Sequence, residues 1–346
     1  MTKMRSFYRF AIVLGCLAVA PIDARGATLC VNPGGTGGCF ASIQAAVDAA
    51  VSRDRIEIGA GTYVGGVSIP ARKGTITIDG AGAGLTVLDG QNPNLHVLSV
   101  RGGGTRPTIS NLTLTGGRIG AFVHVPAQAT FVDVEFTGNE VGLENQGKTT
   151  VLRSNAVANS DCGLRAWYQG SSLTLTDSTV SGNGQYGVRI ASDSKAKIVS
   201  STISGNGGFG VGVGAATVES STITNNSIGG IAVFRRTTLR STIVSGNGAL
   251  GGDCQTTQVG APLRVLGTSM IGEVGSCTVV AAAGLLLTGD PLLGPLQNNG
   301  GTTETHALLP GSPAIGVLTR GPLCKHPDQR GVARSTPCDL GAFEAP

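Results

Sequence analysis

Arg165 and Arg189 hold the same place in two short segments, Gly163-Leu164-Arg165 and Gly187-Val188-Arg189, and an earlier segment, Gly142-Leu143-Glu144, has a carboxylate there. In an extended chain successive side chains point to opposite faces, so the residue after each apolar one looks outward. The outward set is Phe122, Glu144, Arg165, Arg189, Gly212 and Ala232. Two residues further along it is His124, Gln146, Trp167, Ala191, Gly214 and Phe234. Two stacked guanidiniums suit a uronate carboxylate, and the only tryptophan offers a sugar a flat apolar face. Arg165, Trp167, Arg189, Asp193 and Lys195 are therefore the candidate binding residues, with Tyr168, Asp193 and Lys195 at the edge of the patch. The candidate catalytic groups are His124, Glu144, Arg165, Tyr168 and Arg189. His124 or Tyr168 suits proton transfer, because an arginine or lysine would need a strongly shifted pKa or a metal. A glycosidase needs two carboxylates roughly 5 to 9 Å apart, and the alignment supplies Glu144 but no second acid on a neighbouring unit. The plainer alternative is an ordinary solvent-facing surface, with Glu144 and Arg165 forming a weak ion pair.

Such a patch exists only if the units stack, and the central sequence repeats as stacking requires. Ser178-Thr-Val-Ser-Gly-Asn-Gly184 returns as Ser201-Thr-Ile-Ser-Gly-Asn-Gly207 and in related copies. Aligning one apolar residue per copy gives Leu114, Phe136, Val157, Val180, Ile203, Ile223 and Ile243, at steps of 22, 21, 23, 23, 20 and 20 residues. Each unit is a strand, an Asn/Gly turn and a second strand, too short to bury its own apolar face unless its neighbours stack on it. A leucine-rich repeat would need leucine where Val, Ile, Ser and Thr stand here, so the expected fold is all-β, a right-handed parallel β-helix. Coils then lie about 4.8 Å apart. Asn139, Asn183, Asn206, Asn226 and Asn247 form a column suited to a structural turn ladder rather than to ligation.

The ends differ. Phe40 to Ala50 puts Ile43, Val47 and Ala50 on one helical face with Ser42 as N-cap, a short helical cap over the first coil. Strands are expected at 55–58, 74–79 and 85–88. Beyond residue 250 the repeat loosens into a tail expected to lie against the last coil. The organisation is thus 1–26 leader, 27–100 cap and first coils, 101–250 repeats and 251–346 tail.

With 55 glycines in 346 residues, 13% charged and 40% apolar, a coiled coil and a disordered chain are both excluded, and glycine does not recur every third residue as in collagen. Lys3, Arg5 and Arg9 followed by apolar residues from Phe10 to Ala20 read as a cleavable secretory signal, so the expected location is extracellular, with periplasm or cell surface also open. Residues 1–26 hold four basic residues and one acidic residue, so without them the formal net charge falls from +4 to +1. No Lys/Arg cluster remains in the linear sequence, and a nucleic-acid partner is not expected. No later run is long and apolar enough for a membrane span. Local spacing pairs Cys30 with Cys39, Cys254 with Cys277 and Cys324 with Cys338, leaving Cys162 as a buried thiol. No metal-ligand motif stands out, and no cofactor is evident, calcium alone being left open. A monomer is expected.

Ser42-Ile-Gln-Ala-Ala-Val47, Ile56-Glu-Ile-Gly-Ala-Gly-Thr-Tyr63 and Thr75-Ile-Thr-Ile-Asp-Gly80 resemble the opening of pectin esterases and related proteins of the pectin-lyase-like superfamily. The tail, with Leu296-Gln-Asn-Asn-Gly-Gly-Thr302, Asp328-Gln-Arg-Gly331 and Cys338-Asp-Leu-Gly-Ala-Phe-Glu344, resembles the choice-of-anchor Q region of exported bacterial β-helix proteins. The resemblance implies an exported solenoid. It carries over no catalytic residue, because the aspartate motifs of pectin esterases, polygalacturonases and pectate lyases are missing. The function expected is recognition of extracellular polysaccharide, most simply acidic, with a uronide lyase or epimerase, or a noncatalytic adhesion protein, as alternatives.

Overall fold

The computed structural model describes residues 26–212, 214–248, 252–256, 261–281, 285–319 and 322–346. The leader predicted at 1–26 lies outside them apart from Gly26.

Each central coil contributes three strands, and each strand pairs in parallel with its counterparts one coil before and after. Cys162–Ala166 lies between Val141–Asn145 and Val188–Ile190 in a first sheet. Ser172–Thr176 lies between Lys148–Leu152 and Lys195–Val199 in a second. Thr179–Ser181 lies between Asn155–Val157 and Thr202–Ser204 in a third. Inward residues such as Leu164, Leu175, Val180, Ile198 and Ile203 are fully buried and join one continuous apolar core. Coil pairing continues to Leu287. The predicted strand at 55–58 forms as Arg55–Ile58; those at 74–79 and 85–88 form as Thr77–Gly80 and as the start of Thr86–Val100.

At one corner the asparagines make a buried ladder. Asn159 Nδ2 donates to Asn183 Oδ1 at 2.9 Å, and the pattern repeats from Asn183 to Asn206, Asn206 to Asn226 and Asn226 to Asn247, each at 2.8 Å. Each Oδ1 also accepts the backbone N–H of the asparagine one coil earlier. The ladder ends on Asp253, whose Oδ1 takes both donors of Asn247 and whose Oδ2 takes the Glu273 N–H. A carboxylate can close such a row because it needs no further acceptor. A second ladder runs through Ser154, Ser178, Ser201 and Ser221, each hydroxyl accepting an N–H from the coil before.

The ladder explains the glycine that opens each first-sheet strand. A Cβ on Gly163 would stand 2.8 Å from Asn183 Nδ2 and 2.9 Å from the Gly187 carbonyl oxygen, so the requirement is close approach of the next coil. Gly182 and Gly205, by contrast, sit in the turns at φ +63° and +64°, where other residues are strained.

Two positions of the sequence alignment shift by one residue. Phe136 pairs with Ala156, not Val157, and Ile223 pairs with Val244, not Ile243. Inward burial fixes the register, since a one-residue slip would turn every side chain to the other face. Ile243 therefore points outward, where it is buried in a separate cluster with Met270, Leu308, Leu340 and Phe343.

That cluster belongs to the tail, whose position corrects the expectation of a tail on the last coil. It runs back along the outer face of the third sheet. Thr179 Oγ1 donates to the Glu304 carbonyl at 2.6 Å, Gln329 bonds Thr179 and Thr202, and Ala342 N donates to Thr222 Oγ1. His306 Nδ1 donates to the Gly294 carbonyl at 2.7 Å, so Nε2 accepts the Ser204 hydroxyl at 2.8 Å. The disulfides are the expected three, Cys30–Cys39, Cys254–Cys277 and Cys324–Cys338, with Cys162 free and buried.

At the other end the helix spans Ile43–Ala49, with Ser42 Oγ capping Ala45 N at 3.2 Å. Gln44 pairs its side-chain amide with the backbone of Ser68, accepting at 2.7 Å and donating at 3.1 Å, so it occupies an open strand edge.

Asn206→Ala removes two accepted and two donated bonds at a fully buried position. Unsatisfied buried amides cost about 1 to 3 kcal/mol each before any relaxation. The expected loss is about 2 to 4 kcal/mol, read as a lower denaturant midpoint; an unchanged midpoint would show that the ladder contributes nothing.

Candidate functional site

The first sheet builds the predicted outward column in register. Phe122 pairs with Glu144, Glu144 with Arg165, Arg165 with Arg189, Arg189 with Gly212 and Gly212 with Ala232. The face is not uniformly solvent-exposed: Phe122 and Glu144 are buried, because a small outer apolar cluster of Ile119, Phe122, Val141 and Cys162, with Tyr186 against it, packs beside the column.

The two arginines have different surroundings. Arg165 is committed, with Nε 3.1 Å from Glu144 Oε2, a further bond from its terminal nitrogen to the same carboxylate, and Asp161 Oδ2 at 3.6 Å. Gln146 Nε2 holds the other Glu144 oxygen at 3.2 Å. This pair is largely buried, so it is not the weak surface contact that the plainer sequence reading allowed. Arg189 has no carboxylate within 4.0 Å among the described residues, and its Nε is buried without a partner. Its guanidinium carbon lies 4.5 Å from the Trp167 ring centroid and 5.1 Å from that of Tyr186. Trp167 is 43% exposed, so its ring forms an open apolar shelf beside a held cation.

A histidine pair flanks the column. Phe122 stacks on His96 at 4.8 Å between centroids and meets His124 edge-on at 4.1 Å. Burial, with Arg118 and Arg101 nearby, pushes the His96 pKa down. Burial, Arg101 and His96 do the same to His124, whose Nε2 is buried without a partner. Glu144 pulls the other way on both. Each ring therefore favours its neutral form, but His96 Nε2 already accepts a hydrogen bond from the Arg118 guanidinium at 3.0 Å, so of the two rings only His124 keeps a ring nitrogen without a partner. Burial and Asp161 push the Cys162 thiol up to about 12, so it stays protonated and is no nucleophile.

The other predicted residues scatter. Tyr168 follows Trp167 into the next turn with its ring exposed. Asp193 lies in the turn after Val188–Ile190, 3.8 Å from Arg235, and Lys195 opens a strand of the second sheet, which faces another side. Sequence reasoning missed His96, Arg101, Arg118, Asp161 and Tyr186. Asp161 precedes the Gly163 segment in the Asn turn, a place the strand alignment does not reach. Glu144 and Asp161 are both held by Arg165. Among the described residues no group of three or more His, Cys, Asp or Glu side chains could hold a metal ion.

A family profile for a right handed beta helix region matches residues 95–249. The solved structure of pectate lyase Pel9A superposes with a TM-score of 0.68 at 19% identity, covering 93% of this chain and 97% of that one. The chain is a right-handed parallel β-helix. The A-module of Azotobacter vinelandii mannuronan C-5 epimerase AlgE4 is also similar, with a TM-score of 0.54 at 18% identity over 75% of this β-helix and 95% of the module. No curated protein sequence matches it.

Titration of labelled histidine side chains by NMR tests the electrostatics of the face. His96 and His124 should titrate below the ordinary value of about 6.5. Glu144→Gln should lower both further by removing the group that favours their charged forms. Because the unfolded chain takes up these protons first, stability should fall as pH drops below about 6.5. An ordinary or raised value for both rings would contradict this account.

Proposed function

We propose that the chain is an exported protein that binds an acidic polysaccharide, a uronan, on the outer face of the first sheet. The observation that carries this is Arg189, a half-buried arginine held over Trp167 and Tyr186, with its Nε buried without a partner and no carboxylate within 4.0 Å among the described residues. A buried N–H without a partner is costly, and a ligand carboxylate would accept from the guanidinium while its sugar ring covers the exposed Trp167. Three disulfides in a chain of this size fit an oxidising compartment outside the cytoplasm. The similar solved structures are named as a pectate lyase and a mannuronan epimerase, which supports a uronan over a neutral glycan.

The histidine pair favours a second reading, a uronide lyase or epimerase. Both reactions begin with removal of the proton at C5 of a uronate. Neutral His124 would accept that proton, since the His96 lone pair already takes a hydrogen bond from Arg118, and Arg189 would offset the charge growing on the carboxylate. In elimination the C5–H electron pair then forms the C4–C5 double bond as the C4–O bond breaks and that oxygen is protonated. In epimerisation C5 takes a proton back on its other face.

Polygalacturonate and polymannuronate are the probes, each with added calcium and with chelator. The binding reading expects retention of the protein on the immobilised uronan and about a tenfold loss of affinity in Arg189→Ala, about 1.4 kcal/mol. Trp167→Ala should weaken retention in the same direction, and Lys325→Ala should leave it unchanged. Arg165→Ala is the poorer test because it strands Glu144 and costs about 3 to 5 kcal/mol of stability. Unsaturated product, or altered C5 configuration by NMR, would favour the enzyme. No retention and no product with any uronan would reject both readings.

A further inference from the structure

The outer face of the second sheet gathers basic residues that lie far apart in the chain. Lys148 and Lys195 stand in register on either side of Ser172. Lys197, Thr217, Thr238 and Arg264 follow one another along the neighbouring column, and Glu219 pairs with Arg240 in the column beyond. Arg106 lines one groove with Lys148, and Arg236 lines another with Lys195 and Lys197. Six of these seven cations are exposed, and Arg264 is half-buried. Arg106, Lys148, Lys195, Arg236 and Arg264 have no carboxylate within 4.0 Å among the described residues. Glu219, the one acid of this stretch, is taken by Lys197 at 3.0 Å and Arg240 at 3.8 Å.

The charge of the molecule is therefore one-sided. Seven cations and one acid give this face a formal +6, whereas residues 27–346 together sum to +1, so the remainder of the chain carries −5. The array is also two-dimensional. Its three columns span roughly 13 Å along the strands, and the seven coil steps from Thr108 to Arg264 span roughly 34 Å along the coil axis. Among the described residues no large apolar side chain is exposed on this stretch; the first is Val280, paired with Arg264 on the next coil.

We infer that the second sheet is a membrane-docking face, which sets the coil axis parallel to a lipid bilayer and meets its anionic phosphate headgroups. Charge complementarity selects that occupant. A single polyanionic strand would follow one column, whereas a bilayer surface presents phosphates in two dimensions and meets all three columns at once. With polar and charged side chains outermost, the face adsorbs on the headgroups and does not insert among the acyl chains. The opposed charges of this face and the remainder of the chain turn the molecule toward an anionic surface as it approaches. The attraction fades within a Debye length, about 8 Å at physiological salt, so docking is reversible and salt-sensitive. Arg189 and Trp167 belong to the first sheet and stay uncovered, and docking does not depend on what they bind.

The test is cosedimentation of the mature chain, its leader removed, with vesicles of equal parts phosphatidylglycerol and phosphatidylcholine and with vesicles of phosphatidylcholine alone. The parent should bind the anionic vesicles, bind the neutral ones weakly, and lose affinity steeply as salt is added. Lys148→Glu/Lys195→Glu should lose at least tenfold in affinity for the anionic vesicles. Arg118→Glu/Lys325→Glu makes the same change in net charge on the first sheet and in the tail, and should stay within about twofold of the parent. Lys148→Gln/Lys195→Gln, which removes the charges without reversing them, should show a smaller loss in the same direction. Circular dichroism and thermal melting show whether each variant keeps the parent fold. Arg189→Ala should bind the vesicles as the parent does, so failure of the docking face and failure of the sugar site are read separately. Equal losses in the two charge-reversal variants, unchanged affinity in both lysine variants, equal binding to neutral vesicles, or equally tight binding of duplex DNA by the parent would overturn the docking face.

Discussion

The buried asparagine ladder is the constraint on which the rest of the molecule depends. Each amide in it is shut away from water and must find its donors and acceptors in the neighbouring coils. It finds them only if every coil is in step with the next, so the ladder fixes register from Asn139 to Asp253. The glycine column follows from the same crowding, since a methyl group at Gly163 or Gly187 would meet the next coil's carbonyl oxygen and a ladder amide. Apolar burial supplies the drive to stack. The ladder decides where the stacking locks.

Once register is locked, each sheet becomes a row of columns whose chemistry is set by single positions repeated coil after coil. The three outer faces then diverge. The third is covered by the tail, whose Gln329, His306 and Phe343 take up its threonines, serine and outward isoleucine. The first has a committed buried ion pair, Glu144 with Arg165, beside an uncommitted cation, Arg189, and a neutral histidine pair. The second has exposed cations at alternate coils with hydroxyls beside them. One backbone architecture thus presents two open faces with different side-chain chemistry, as expected where function sits on a fold rather than in it.

The contrast between Arg165 and Arg189 shows why identical positions on adjacent coils need not have the same role. Both follow a glycine and an apolar residue, and they pair directly. The coil before Arg165 presents Glu144 and its own preceding turn presents Asp161, whereas the coil after Arg189 presents Gly212. One guanidinium is neutralised by its neighbours and serves to hold them. The other has no carboxylate within 4.0 Å among the described residues, and its Nε is buried without a partner.

The sequence by itself determined the coil, the outward column from Phe122 to Ala232, the asparagine column and the N-cap at Ser42, and its local spacing suggested the three cysteine pairings that the structure forms. Each depends on short-range periodicity or local spacing, which a linear chain displays directly. Tertiary structure alone decided the rest. Ile243 could be recognised as outward only once the tail lay over it. His96 and His124 became a pair only when a long strand and a turn brought their coils together around Phe122. Asp161 reached Arg165 from a turn outside the aligned strand, and Lys148 and Lys195 came into one column only through pairing on either side of Ser172. These facts depend on what the next coil or the returning tail places against a residue. No property of the residue's own segment encodes that neighbour.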